Sequence, residues 1–178
     1  MPLSGSTPAE KRWYADALLS RITEQPRQKS WLRTPKSLTR RIRQHCPQMQ
    51  VKVLKQAFAL AYEDERQALG LQTHQRVWIR EVLLQCDGQD WVFARTVIPY
   101  FESGNPWLML QKLGTQPLGE ILFDIKQICR SDFRFQHFPK QRLPLDASLR
   151  HARRSVFWHD THSDFPLLLT EVFLHRMP

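Results

Sequence analysis

Residues 76–98 read RVWIREVLLQCDGQDWVFARTVI, and this stretch decides the fold class. Two runs rich in Val, Ile, Leu, Trp and Phe, Arg76 to Gln85 and Trp91 to Ile98, flank a turn containing Asp87-Gly88. Asp-Gly suits the positive φ angles of a tight hairpin, so the stretch is predicted as two antiparallel strands. Residues two apart in a strand share a face. Arg80 then lies with Trp78, Val82 and Leu84, and Val77, Ile79 and Leu83 lie opposite, so this strand is expected to be covered on both sides. Val51 to Leu60 reads as a strand before the hairpin. The residues around Phe133 and Phe135, Ser155 to Trp158 and Pro166 to Leu174 read as strands after it. Leu118, Ile121, Leu122 and Ile125 recur at the spacing of a buried helical face. Thr34-Pro35 opens a short helix with Leu38 and Ile42 on its apolar side, stopped by Pro47. Thr7, Pro8 and Glu10 form a capping box for a helix reaching about Thr23. The sum is an α+β fold: six mainly antiparallel strands with helices packed over them, residues 1–178 forming one domain.

Composition narrows the function. The chain has 178 residues, with 26 Lys plus Arg against 17 Asp plus Glu. The longest nearly apolar stretch, Pro166 to Leu174, is too short to cross a bilayer and contains Glu171. The first twenty residues hold no apolar core of a secretory signal. Cys46, Cys86 and Cys129 are odd in number and widely spaced. They predict neither a disulfide framework nor a zinc ribbon, and fit a reducing cytosol. No acidic residue stands between Pro26 and Tyr62, and Arg150, Arg153 and Arg154 form a second basic cluster. Such charge can neutralise phosphates or draw small anions to a cleft. No nucleic-acid-binding signature accompanies it, so it reads as solvated surface. His159-Asp160-Thr161-His162 sits in a polar connection and reads as surface rather than a metal site. His45-Cys46 are adjacent on a helix and point apart, which argues against a nucleophilic cysteine.

Three charges stand where apolar residues belong. Arg80 shares its face with Trp78, Val82 and Leu84; Arg95 with Trp91, Phe93 and Val97; Glu171 with Leu167, Leu169 and Phe173. An isolated buried ion costs several kcal/mol, so each needs a partner. One solution is an internal pair of Glu171 with Arg80 or Arg95. The other is a closed pocket whose missing partner is a ligand. Two arginines against one carboxylate leave positive charge in excess, which suits a carboxylate-bearing ligand gripped by a planar guanidinium. Glu171, set among leucines, is then positioned to donate a proton or to bond a hydroxyl. The helix starts near Leu38 and Leu118 add free backbone N–H groups.

These residues carry a resemblance. Trp78 to Leu84, Asp87-Gly88 and Ala94-Arg95-Thr96-Val97-Ile98-Pro99 resemble the hairpin of the bacterial chorismate pyruvate-lyases. Leu110 to Gly114 with Thr115-Gln116-Pro117-Leu118-Gly119, Ala152 to Ser155, and the closing Pro166 to Leu174 are similar as well. The resemblance implies a six-stranded antiparallel sheet and a ligand enclosed beneath two helical flaps. It implies that Arg80 binds the ring carboxylate, assisted by the backbone amide of Leu118. Glu171 would contact the ring hydroxyl and act as catalytic acid, and Leu38, where the family commonly has Met, would supply a further backbone contact. No metal or cofactor is implied. The expected reaction splits chorismate into 4-hydroxybenzoate and pyruvate, the first committed step of ubiquinone synthesis, in a cytoplasmic monomer. A non-catalytic domain of the same fold, sensing a small carboxylate effector, is the alternative.

Overall fold

The computed structural model describes residues 12–178, and the predicted capping box at Thr7, Pro8 and Glu10 lies outside them. The predicted hairpin is present as β2 (Arg76–Cys86) and β3 (Gln89–Ile98). Asp87 and Gly88 both take positive φ, 50° and 76°, as the tight turn requires. The other strands are β1 (Gln50–Leu60), β4 (Ile128–Arg130), β5 (Arg134–His137), β6 (His151–His159) and β7 (His162–Phe173). They form a single seven-stranded sheet in the order β1-β2-β3-β7-β6-β4, with β5 also pairing β6. Every pairing is antiparallel.

Four α-helices accompany the sheet: α1 (Pro26–Leu32), α2 (Leu38–His45), α3 (Glu63–Leu69) and α4 (Leu118–Asp124). The sequence reading missed α1, α3 and the short β4. It also predicted a longer first helix, whereas residues 12–15 are not helical and Asp16–Arg21 is a 3-10 helix. Tyr14 there bridges to Phe135 of β5, exchanging two backbone hydrogen bonds, so tertiary pairing overrides the local helical spacing. The second predicted helix begins at Leu38, three residues beyond the Pro35 signal. Ser37 caps it by accepting from the Arg40 amide.

Both faces of the sheet are covered. On one, α1 and α2 pack Trp31, Leu32, Leu38 and Ile42 against Val82, Leu84, Val92 and Phe173. Beside them, α4 and the 3-10 helix Pro106–Lys112 pack Leu118, Leu122, Trp107 and Leu110 against Trp78, Leu167 and Leu169. On the opposite face, Leu69 at the end of α3 packs on Val77, Ile79 and Leu168, and residues 138–145 cover Leu83, Phe93 and Val172. Helix α3 docks through charge as well as apolar contact. Glu65, 3% exposed, receives two hydrogen bonds from buried Arg95 and one from the Tyr62 amide, so one carboxylate both caps the helix and seats it.

Cys46 and Cys86 form a disulfide, Cα–Cα 6.2 Å, which corrects the expectation of unpaired cysteines. Their 40-residue separation gave no motif. Antiparallel pairing of β1 with β2 is what brings the C-cap of α2 beside the end of β2. Cys129 is the free cysteine. With two of the three cysteines bonded, they do not point to a reducing compartment.

Two predictions follow from these contacts. Closing a loop of 40 residues constrains the unfolded chain, so Cys46→Ser with Cys86→Ser should lower the unfolding free energy of the oxidised protein by about 2–4 kcal/mol in urea titration. Separately, burial and then the neighbouring His137 push the His151 imidazole down to about 4. The unfolded chain, with an ordinary histidine near ~6.5, binds a proton that the fold refuses, so stability falls as pH drops from roughly 6.5 toward 4. His151→Gln should flatten that slope.

Candidate active site

Arg80 and Glu171 lie on the same face of the sheet, on β2 and β7, with β3 between them. The register sets Arg80 opposite Thr96, and Glu171 opposite Ala94. Standard strand spacing and rise then put the two α-carbons roughly 12 Å apart, both side chains rising over Ala94 and Thr96. The two apolar clusters of this face meet at Ala94, which is only partly buried although it belongs to a central strand. Two charges therefore flank the junction of two packed regions, above the smallest side chain in this part of the sheet.

Arg80 is 2% exposed. Its Nη2 donates to the carbonyls of Gly114 and Gln116, at 2.8 and 3.1 Å. Gly114 has φ of 57°, a left-handed conformation that favours glycine, in the turn leading to α4. Among the described residues no carboxylate pairs with Arg80, and its buried Nε–H has no acceptor. Burial lowers its proton affinity below the ordinary arginine value. A cation held in that condition has an unmet demand for an anion.

Glu171, 8% exposed, does not pair with Arg80 or Arg95, the two internal partners the sequence suggested. Its partner is Arg153, the residue beside it on β6, whose Nε donates to Oε2 at 2.6 Å. Arg153 is 2% exposed and also donates to the carbonyls of Leu32 and Thr34. The reading of Arg153 and Arg154 as solvated surface is thus corrected. Strand alternation sends Arg153 to the Glu171 face and Arg154 to the other, where it pairs with Asp64 at 2.9 Å. Burial alone would raise the Asp64 carboxyl, but hydrogen bonding from Trp13 and the charges of Arg142 and Arg154 hold it below its usual value. Arg153 could have been found in the sequence from the family-like Ala152 to Ser155 and from the period-two pattern that places it with Ser155 and Phe157.

Arg95 lies on the face away from Arg80. It pairs with Glu65 at 2.7 Å and Glu81 at 2.5 Å. Burial would weaken its hold on a proton, but the two carboxylates reverse that effect and raise it above the ordinary value. Its charge is satisfied within the fold.

Leu38 and Leu118 are both buried at the first turns of α2 and α4. These turns meet: a Cβ built on Gly119 would stand 3.1 Å from Thr39 Oγ1 and 3.5 Å from Ser37 Oγ. Arg43 with Glu120, and Arg40 with Asp124, bridge the two helices outside. Two sets of first-turn N–H groups are thereby brought to one side of the sheet, the second joined to Arg80 through Gln116. Elsewhere, His159 and His162 sit at the β6–β7 turn with rings 5.5 Å apart. The grouping of metal-ligand types among the described residues, Cys46, Cys86 and Asp87, contains the disulfide. A surface pocket of about 780 Å³ near Gly70, His74 and Tyr100 includes none of the four predicted site residues.

Residues 12–177 match the family described as chorismate lyase. The chain belongs to the chorismate lyase family. A probable chorismate pyruvate-lyase of Hydrogenovibrio crunogenus is 37% identical over 171 residues, covering 93% of this chain and 91% of that one. A chorismate pyruvate-lyase of Serratia proteamaculans is 38% identical over 148 residues, covering 83% and 78%. The fold is shared more widely. The PhnF C-terminal domain superposes with a TM-score of 0.57 at 17% identity, covering 71% of this chain and 83% of that one. The C-terminal domain of the histidine utilization repressor from Pseudomonas syringae gives 0.51 at 13% identity, covering 74% and 96%. The helices over an antiparallel sheet, and the fold shared with the PhnF C-terminal domain, bear out the expected α+β class; the sheet has seven strands among the described residues where six were expected.

The close approach at Gly119 yields a prediction. Gly119→Val forces α4 away from Ser37 and Thr39, displacing the Leu38 and Leu118 turns together. Affinity for 4-hydroxybenzoate measured by titration calorimetry should fall at least about tenfold, while the unfolding free energy from urea titration should fall by no more than about 1–3 kcal/mol.

Proposed function

We propose that this protein is a chorismate pyruvate-lyase, splitting chorismate into 4-hydroxybenzoate and pyruvate. The observation that carries the reading is the buried, anion-free Arg80 standing across Ala94 and Thr96 from a carboxylate. The names borne by relatives that align over most of the chain support it.

The chemistry needs little beyond placement. The ether C–O bond to the ring breaks with its electrons leaving on the enolpyruvate oxygen. A ring proton is lost, and its bonding pair completes the aromatic ring. The enolate then takes up a proton at carbon to become pyruvate, so atoms and charge balance without an oxidant. Holding the substrate in a reactive orientation can supply several kcal/mol. In this reading Arg80 is the catalytic and binding cation for the ring carboxylate, its free Nε–H directed to the ligand, and the Leu118 and Leu38 amides assist. Glu171 binds the ring hydroxyl and serves as catalytic proton carrier. All four positions belong to one chain, so a monomer suffices, and residues 1–178 act as one unit. The bacterial cytoplasm is the compartment this reading implies. No long apolar helix capable of crossing a membrane occurs among the described residues.

The test is direct. Purified protein given chorismate without added metal should release pyruvate, followed through a coupled reductase. Glu171→Ala should abolish turnover with the fold retained by circular dichroism. Arg80→Ala should first raise KM, by roughly tenfold or more for a lost charge-assisted contact. Tight binding of 4-hydroxybenzoate with no turnover of chorismate would instead favour the effector-sensing alternative.

A further inference from the structure

We propose that Arg153 is a positioning residue: it fixes the orientation of Glu171 so that one carboxylate oxygen faces the ligand, and it ties that orientation to the segment leading into α2. The proposal rests on the reading of Glu171 as the group that meets the ring hydroxyl.

The geometry is specific. Arg153 and Glu171 are register partners on adjacent strands, on the same face. Nε of Arg153 engages Oε2 alone, at 2.6 Å, and Oε1 carries no protein hydrogen bond among the described residues. A carboxylate held by one oxygen cannot rotate freely, so Oε1 is left with a defined direction. The guanidinium is itself immobilised. Its Nη1 donates to Leu32 O at 3.2 Å and Thr34 O at 2.8 Å, and it stacks over the Phe133 ring at 4.4 Å. Arg130 lies over the same ring at 4.1 Å and donates to Pro35 O at 3.0 Å. Two arginines therefore hold residues 32–35, the link between α1 and the Leu38 turn.

The charges around Arg153 explain why it faces the carboxylate. Burial first, and then the charge of Arg153, disfavour protonation of both Arg41 and Arg130. Glu171 acts in the opposite sense on Arg130, and Arg153 is the arginine bonded to it. Loss of Arg153 removes a fixed donor from Oε2 and leaves the Leu32 and Thr34 carbonyls without their buried partner. The first effect falls on Glu171, the second on the approach to α2.

Two ligands separate positioning from general support. Benzoate has the carboxylate that Arg80 would hold but lacks the hydroxyl that Glu171 would meet; 4-hydroxybenzoate has both. In Arg153→Met, affinity for 4-hydroxybenzoate, measured by calorimetry, should fall at least tenfold and benzoate affinity should change less than twofold. With chorismate, kcat should fall at least tenfold, more than KM rises. Arg153→Lys, which restores a cation without the planar fork, should recover part of the selectivity. In a Glu171→Gln background, Arg153→Met should remove little further selectivity. Equal loss of both ligands in Arg153→Met and Arg153→Lys, or unchanged selectivity in both, would overturn the proposal. If Arg153→Met fails to fold, the same comparison in Arg153→Lys decides it. Wild-type protein that binds neither ligand would overturn the underlying lyase reading, and that failure is seen before any variant is made.

Discussion

A guanidinium enclosed between a sheet and its covering helices must be compensated, and this requirement organises the molecule. On one face Arg95 is answered by Glu65 and Glu81, and Arg154 by Asp64. On the other, Arg153 is answered by Glu171. Arg80 alone among these four is met only by carbonyl oxygens. Two buried pairs and one half-buried pair make the sheet a structural frame with matched charge, and the fourth site is built with its charge unmatched. Carbonyl dipoles from Gly114 and Gln116 make the burial tolerable, while the Nε–H keeps no acceptor among the described residues.

The division of labour between the faces follows from the period-two geometry of strands. Neighbouring Arg153 and Arg154 point oppositely, one toward the carboxylate of β7 and one toward α3. Arg80 and Arg95 separate in the same way, because Arg80 is in register with Thr96 rather than Arg95. A single sheet thus carries Arg95 and Arg154 with their carboxylate partners on one side and Arg80, Arg153 and Glu171 on the other.

Much of this was legible in the sequence. Strong apolar runs and Asp87-Gly88 gave the hairpin, the closing strand was evident, and the burial of Arg80, Arg95 and Glu171 followed from their neighbours. The partners were not legible, because pairing depends on register between strands far apart in the chain. Glu171 meets Arg153 through alignment of β6 with β7, and the disulfide arises through alignment of β1 with β2. Helix α3 was overlooked although Glu63, Asp64 and Glu65 acidify its first turn and Gly70 ends it in a left-handed conformation. Its seven residues are too few for apolar spacing to show, and a buried ion pair rather than an apolar stripe seats it. Residues 12–15 went astray in the opposite sense, their helical spacing yielding to a bridge with β5.

The Cys46–Cys86 bond bears on how α2 can move. The helix is fastened at its C-cap to the final residue of β2, and its other end rests on α4 through the small side chains of Ser37 and Thr39. Eight residues make a rod about 12 Å long. Any displacement that keeps the sulfurs joined is a swing about the fastened end, with the greatest travel at Ser37 and Leu38 and almost none at His45. The crosslink acts as a hinge pin, directing motion to the end of the rod that carries Ser37 and Leu38.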